Sequence, residues 1–278
     1  MNLVRALGTA GWAVRSALSQ ASRGPLWLPF LLVAAIQTAS LMLLMAYGRG
    51  APVPLVGTAA RAVGGEAGTH FPFFYAVVPV LLARWNLILS ACLFTWATAV
   101  AVLLFAGRWG RGLSGSPWRA AARRYPALLA IGCFTALLSL VIFWIGNLAG
   151  PETLAVNRNL RWGTRFAMMA VFIAAQSLFV YAILWVVLER RGWARALGDS
   201  IRLALRTAFP TLLVVGIPVL LLYPIDYLSG RADLFLTRLR PDLIGTILLV
   251  KIVLEAVLGF VLVGAITRLF LWRLEEEK

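Results

Sequence analysis

The chain has 278 residues, 61% of them apolar, and a mean hydropathy of +0.86. Those values exclude a soluble globular domain and indicate an all-α polytopic membrane protein; no stretch between apolar runs could form a soluble core, so 1–278 read as one integral-membrane domain. The net charge of +15 would point to nucleic acid in a soluble chain, but here arginines flank apolar runs. Their placement implies anionic phospholipid as partner and no nucleic acid.

Residues 2–22, within an N-terminal amphipathic segment 1–24, predict a basic helix with Leu3, Leu7, Ala10, Val14, Ala17 and Leu18 on one face and Arg5 and Ser16 away from it. Pro25 follows, and residues 26–47 form the first span. The apolar run and its basic lead-in are too long for a cleavable signal peptide, and no small-x-small site follows. Residues 48–70, rich in Gly, Ala and Pro, read as an outer loop. Residues 71–83 carry Pro72 and Pro79 and are too short to cross, so they read as an interfacial or re-entrant segment ending at Arg84. The second span is 85–106. One long helix from Phe73 to Phe105 is the alternative, with Pro79 and Arg84 inside it.

The next loop carries Arg108, Arg111, Arg119, Arg123 and Arg124 and no acid, and Ser116-Pro117 opens a short helix in it. Span three is 126–147, a turn covers Gly150 to Arg165, and span four is 166–188. Residues 189–209 predict a second basic amphipathic helix. Trp193, Leu197, Ile201, Ala204, Leu205 and Ala208 lie on one face; Arg195, Asp199, Arg202 and Arg206 lie opposite. After Pro210 come span five at 211–228, an outer loop from Ser229 to Asp242, and span six at 243–272.

Segments 1–24, 107–125, 189–209 and the C-terminal end hold about 16 of the 26 basic residues, so the positive-inside rule predicts both termini in the cytoplasm of a bacterial inner membrane. Tryptophans 27, 85, 109, 144, 162, 185 and 272 lie at span ends, as interfacial anchors do. Gly11-Trp12-Ala13 matches Gly192-Trp193-Ala194, and Pro25, Pro126 and Pro210 each open a span after a basic segment. The pattern predicts six transmembrane helices in three hairpins, each preceded by a basic cytoplasmic interfacial helix.

One stretch carries a family likeness. Val187-Leu188-Glu189, Gly192 and then Ala196-Leu197-Gly198-Asp199-Ser200-Ile201-Arg202-Leu203 resembles the "glutamate, spacer, Ala-Leu-x-x-Ser-x-x-Leu" segment between spans four and five of a six-span bacterial family. That family comprises the membrane-anchor domain of glycerophosphodiester phosphodiesterases and its stand-alone relatives. The resemblance implies a similar fold and a lipid- or envelope-related setting. It does not imply phosphodiesterase activity, whose soluble catalytic domain is absent from these residues.

Lys251 and Glu255 are the sharpest chemical feature, one helical turn apart in an otherwise apolar span. A mid-span charge costs about 2.5–3.5 kcal/mol on insertion scales, so Glu255 needs a further partner, and Arg84 is the expected one. Span five carries Gly216, Pro218 and Pro224 and ends in Asp226. Lys251, Glu255, Arg84 and Asp226 form the candidate intramembrane polar site, read either as a proton or substrate site or as an inter-helix ion pair. Gln37, Gln176, Ser177 and Asn147 read as inter-helix hydrogen-bonding groups. Arg119, Arg123, Arg124, Arg195, Arg202 and Arg206 are the expected headgroup contacts.

No catalytic set assembles from the sequence. Gly112-Leu113-Ser114-Gly115 matches the intramembrane serine-protease pattern, but the single histidine, His70, belongs to the other side of the expected topology. Cys92 and Cys133 sit in apolar spans and predict neither a disulfide nor a metal site, and no cofactor is implied. The expectation is a non-enzymatic membrane protein that handles or senses lipid or amphiphilic cargo or scaffolds a membrane or cytoplasmic protein partner. The alternative is a permease subunit of an ATP-driven transporter, with 192–208 as its coupling helix.

Overall fold

The computed structural model describes residues 3–51, 53–111, 115–148, 158–231, 240–241 and 243–276. Ser114, residues 150–157 of the turn read between Gly150 and Arg165, most of the loop read between Ser229 and Asp242, and the side chains of Asn147 and Trp162 lie outside the described residues. Residues 158–165 of that turn are helical instead, continuing the fourth span towards its N-terminal side. The described chain is all-α, with no strand. Its helices are α1 (Leu3–Leu18), α2 (Gly24–Gly48), α3 (Pro54–Gly64) and α4 (Phe74–Leu89). A π segment (Ser90–Phe94) leads into α5 (Thr95–Arg108), followed by α6 (Pro117–Arg123) and α7 (Tyr125–Leu148). The remainder are α8 (Arg158–Phe179), α9 (Ala182–Val187), α10 (Trp193–Arg206), α11 (Ala208–Ser229) and α12 (Leu243–Glu276).

Among the described residues six runs are long and apolar enough to cross a membrane: Gly24–Gly48, Phe74–Arg108, Tyr125–Ile145, Gly163–Val187, Ala208–Ser229 and Leu243–Glu276. Only 22% of the apolar window in Tyr125–Ile145 is buried inside the protein. Leu137, Phe143 and Trp144 there are each more than 60% exposed, apolar area that water would not tolerate and hydrocarbon covers at no cost. The protein is therefore a membrane-embedded, multi-pass helical protein.

The second run corrects the sequence reading. Residues 71–83 do not form a segment of their own: from Phe74 the chain is helical through Pro79 and Arg84 to Arg108, interrupted only in hydrogen-bond pattern by the π segment. Proline inside a helix removes one backbone bond, and packing against neighbours outweighs that loss in a membrane helix. Residues 54–64, read as loop, also fold as a helix. Pro54 stands in its first turn, where no N–H is missed, and Val56 and Ala60 bury one face.

The chain divides into two compact units: Met1–Trp27, Ser90–Ile217 and Phe260–Lys278 in the first, Leu28–Leu89 and Pro218–Gly259 in the second. Two of the junctions coincide with backbone irregularities, the start of the π segment at Ser90 and the proline at 218.

The first unit is built around Tyr181, fully buried at the break between α8 and α9. A helix break exposes backbone groups that must find partners. Ser200 of α10 supplies them: its hydroxyl donates to the Leu178 carbonyl at 2.7 Å and accepts from the Tyr181 N–H at 3.2 Å. The Tyr181 hydroxyl is satisfied by Thr211, 2.7 Å away. Phe270 of α12 stacks on Tyr181, and Trp185 meets Phe270 edge-on at 4.9 Å. Trp185 is thus 8% exposed and part of the core, not the boundary anchor its position suggested. Helix α1 docks by an alanine stripe, Ala6, Ala10, Ala13 and Ala17, all buried. Ala17 meets α12 at Gly264, where a Cβ would stand 2.7 Å from its own. Arg268 of α12 lies over the rings of Trp12 and Trp109 at 4.7 and 5.6 Å.

In the second unit, α3 lies close to α2 and α4 through its glycines. A Cβ on Gly57 would stand 2.9 Å from the Tyr47 hydroxyl, and one on Gly64 2.7 Å from Val77. Leu41, Met45, Phe74, Val78, Leu82 and Leu248 make the apolar core beside them. Trp85 donates its indole N–H to Ser40 at 2.8 Å, joining α4 to α2.

Candidate functional site

The polar residues of the second unit converge. Lys251 and Glu255 sit on successive turns of α12, with Nζ 3.6 Å from Oε1. The closer partner of Lys251 is Asp226 near the end of α11, whose Oδ1 lies 2.5 Å away. Gln37 of α2, only 3% exposed, donates from Nε2 to Glu255 Oε2 at 3.1 Å. Three helices therefore meet at one ammonium, two carboxylates and an amide. Asp226 is the open side of the cluster, with 48% of its side chain exposed against 21% for Lys251 and 28% for Glu255.

Arg84 is not part of this cluster. Its helix turns Leu81 and Leu82 inward and leaves Arg84 exposed, without an ion pair to Glu255. Gln37 takes the expected role. An amide satisfies a carboxylate oxygen without a second ion having to be stripped of water, which makes it the less costly buried partner. Chemically, one cation faces two acids. The set can hold a proton on a carboxyl or accept a cationic group at the Asp226 side, and it can equally pin α2, α11 and α12 together.

Of the other intramembrane polar groups, Gln176 donates to Ser139 across α7 and α8 at 3.4 Å, while the buried Ser177 hydroxyl finds no partner among the described residues. Among the described residues no group of three or more His, Cys, Asp or Glu side chains comes together.

The basic helices have a more specific build than amphipathicity alone implies. At about 100° per residue, α10 splits into three sectors. Ala196, Leu197, Ser200, Leu203 and Ala204 are buried against the first unit. Ala194, Gly198 and Leu205 form a second, exposed apolar sector, with Ile201 beside it half-buried. Arg195, Arg202 and Arg206 form the third and are exposed. The expected apolar face is thus rotated toward Ser200: Leu197 and Leu203 pack inward with the small Ala196, Ser200 and Ala204, while Leu205 stays outside. Helix α1 repeats the plan, with its alanines inward and Val4, Leu7 and Leu18 at least half exposed. On α6, Arg119 and Arg123 are exposed and Arg124 is half-buried.

The buried sector of α10 coincides with the Ala-Leu-x-x-Ser-x-x-Leu letters, Ala196, Leu197, Ser200 and Leu203. Glu189, before it, pairs with Arg111 at 2.7 Å, and Asp199 pairs with Arg191. These residues form a docking device for the helix. Periodicity exposed the helix but not the partner of Ser200, which lies 22 residues back along the chain at Leu178. No family model, curated protein or solved structure matches the chain.

Proposed function

We propose that the chain is a non-enzymatic multi-pass protein of the bacterial inner membrane, with cytoplasmic termini, that grips anionic phospholipid through α1, α6 and α10 and handles or senses lipid or amphiphilic cargo for the envelope. The observation that carries this reading is the three-sector build of α10. A helix that already packs one side on its own protein, yet shows water both Leu205 and three arginines, fits a bilayer surface: acyl chains beside the leucine, phosphates beside the arginines. The likeness of Glu189–Leu203 to the anchor domains of lipid-diester phosphodiesterases supports the same setting. Lys251, Glu255 and Asp226 are the best-placed polar groups for cargo contact inside the spans.

Native mass spectrometry of the detergent-extracted chain tests this. Anionic phospholipid should co-purify with the wild type, and Arg119→Gln/Arg123→Gln/Arg195→Gln should lower its occupancy several-fold. Stoichiometric recovery of an ATPase subunit without lipid would replace this reading by the permease one. Topology is tested with Ala194→Cys, an exposed position, after Cys92 and Cys133 are changed to serine. Labelling from outside intact cells would invert the proposed orientation.

A further inference from the structure

We infer that a pocket beside α10 in the first unit is a binding site for a phosphate-bearing anion. Trp185 of α9, Arg191, Asp199, Arg202 and Arg206 of α10 and its lead-in, and Arg273 of α12 line a hollow of about 190 Å³. Four guanidiniums face it against a single carboxylate. That carboxylate, Asp199, is already committed to Arg191, and Arg273 pairs outward with Glu276. Arg202 has no carboxylate partner among the described residues. Part of the remaining wall is apolar and buried: Leu203, Phe270 and Trp185 are each less than a tenth exposed, with Leu274 half-buried beside them. Low-dielectric walls on one side of a hollow focus the field of the charges set around it.

Donors outnumber acceptors throughout the site. Trp185 Nε1 and Arg273 Nε are both buried and neither has an acceptor among the described residues. A structural ion network would balance its charges, as Arg111–Glu189 does; among the described lining residues Asp199 is the single carboxylate. The Arg191 guanidinium lies 4.2 Å over the Trp185 ring, which holds one fork in place before any ligand arrives. Several guanidinium forks around one hollow suit a tetrahedral group with three or four acceptor oxygens better than a planar carboxylate. A phosphate ester meets that description, carried either by a lipid headgroup or by a small soluble molecule. The inference deepens the lipid reading above and rests on it for the first of those sources.

The test uses the full chain, with two probes: inorganic phosphate in detergent, and nanodiscs containing phosphatidic acid or phosphatidylcholine alone. Saturable binding of phosphate or preferential retention of phosphatidic acid is expected. Arg202→Gln/Arg206→Gln should weaken it at least tenfold, whereas Arg49→Gln/Arg108→Gln, an equal loss of charge away from the pocket, should leave it unchanged. Should the first pair fail to fold, Trp185→Phe and Arg273→Lys, which keep ring and charge but delete the orphaned donors, should each weaken binding several-fold. Retention of phosphatidic acid without phosphate binding assigns the headgroup. Phosphate binding without preference for phosphatidic acid assigns a soluble ligand, and the lipid reading then fails while the pocket stands. Absence of saturable binding to either probe, or equal loss in the Arg49/Arg108 control, overturns the site.

Discussion

Replacing Gly132 with alanine adds one methyl group to α7 at the point where that helix meets the π segment. The new Cβ would stand 2.2 Å from the carbonyl oxygen of Ala91 and 2.7 Å from Thr95 Oγ1. Carbon–oxygen contacts settle at about 3.3–3.6 Å, so roughly 1 Å of separation must be found. Neither neighbour can rotate aside: one is backbone, and the Thr95 hydroxyl is engaged in donating to the Ser90 carbonyl at 2.7 Å. Overpacking of this kind costs about 1–3 kcal/mol, at the upper end where backbone must move. Against it stands the helix preference for alanine over glycine, about 1 kcal/mol. The net expectation is a loss of about 2 kcal/mol, roughly a thirtyfold drop in the folded-to-unfolded ratio. Gly198 of α10 meets nothing within 4 Å, so the same substitution there keeps only the favourable part and should gain up to about 1 kcal/mol. Unfolding of the purified protein in mixed micelles with rising sodium dodecyl sulfate reads both variants. A Gly132→Ala protein as stable as the wild type, or the two glycines responding alike, would refute the close approach of α7 to the π segment.

Lys251→Met should destabilise by about 3–5 kcal/mol, because Asp226 and Glu255 both lose their cation, while Glu255→Gln keeps the Lys251–Asp226 pair and should cost less than about 1 kcal/mol; a reversed order in the same unfolding assay would show that the pairing is misassigned. If Glu255→Gln keeps stability yet loses ligand or lipid binding, the cluster acts as a site and not as a scaffold. Ser200→Ala strands the Leu178 carbonyl and the Tyr181 N–H together and should cost about 1–2 kcal/mol, with faster proteolysis at the break between α8 and α9; unchanged proteolysis would count against that role. Arg190 adopts φ 55 between α9 and α10, so Arg190→Gly should raise stability by up to about 1 kcal/mol, and a lower melting temperature would contradict the strain argument.

The spans and the basic helices were legible in the chain because both depend on local pattern. Twenty apolar residues in a row span hydrocarbon whatever their neighbours, and a 3.6-residue alternation of arginine and leucine defines a helix face by itself. Breaks were less legible. Residues 71–83, with Pro72 and Pro79, read as a separate short segment ending at Arg84, yet one helix runs from Phe74 through Pro79 and Arg84, because propensity measured in water overstates what proline costs in a packed membrane helix. The Gly- and Ala-rich stretch at 54–64 failed for a related reason: its glycines permit tight packing on Tyr47 and Val77, and that contact does not register in composition.

Sequence alone determined that this is an all-α chain with six membrane-competent runs and that Lys251 and Glu255 share a helix face. Tertiary structure decided the rest: which side of α10 meets the protein, that Gln37 and not Arg84 answers Glu255, and that Trp185 closes a hollow among arginines. Hydropathy cannot separate these, since in lipid a leucine gains as much outside as inside. What draws a face inward there is small size and an answered hydrogen bond, as at Ala17 against Gly264 and Ser200 against Leu178, and both are properties of two surfaces together.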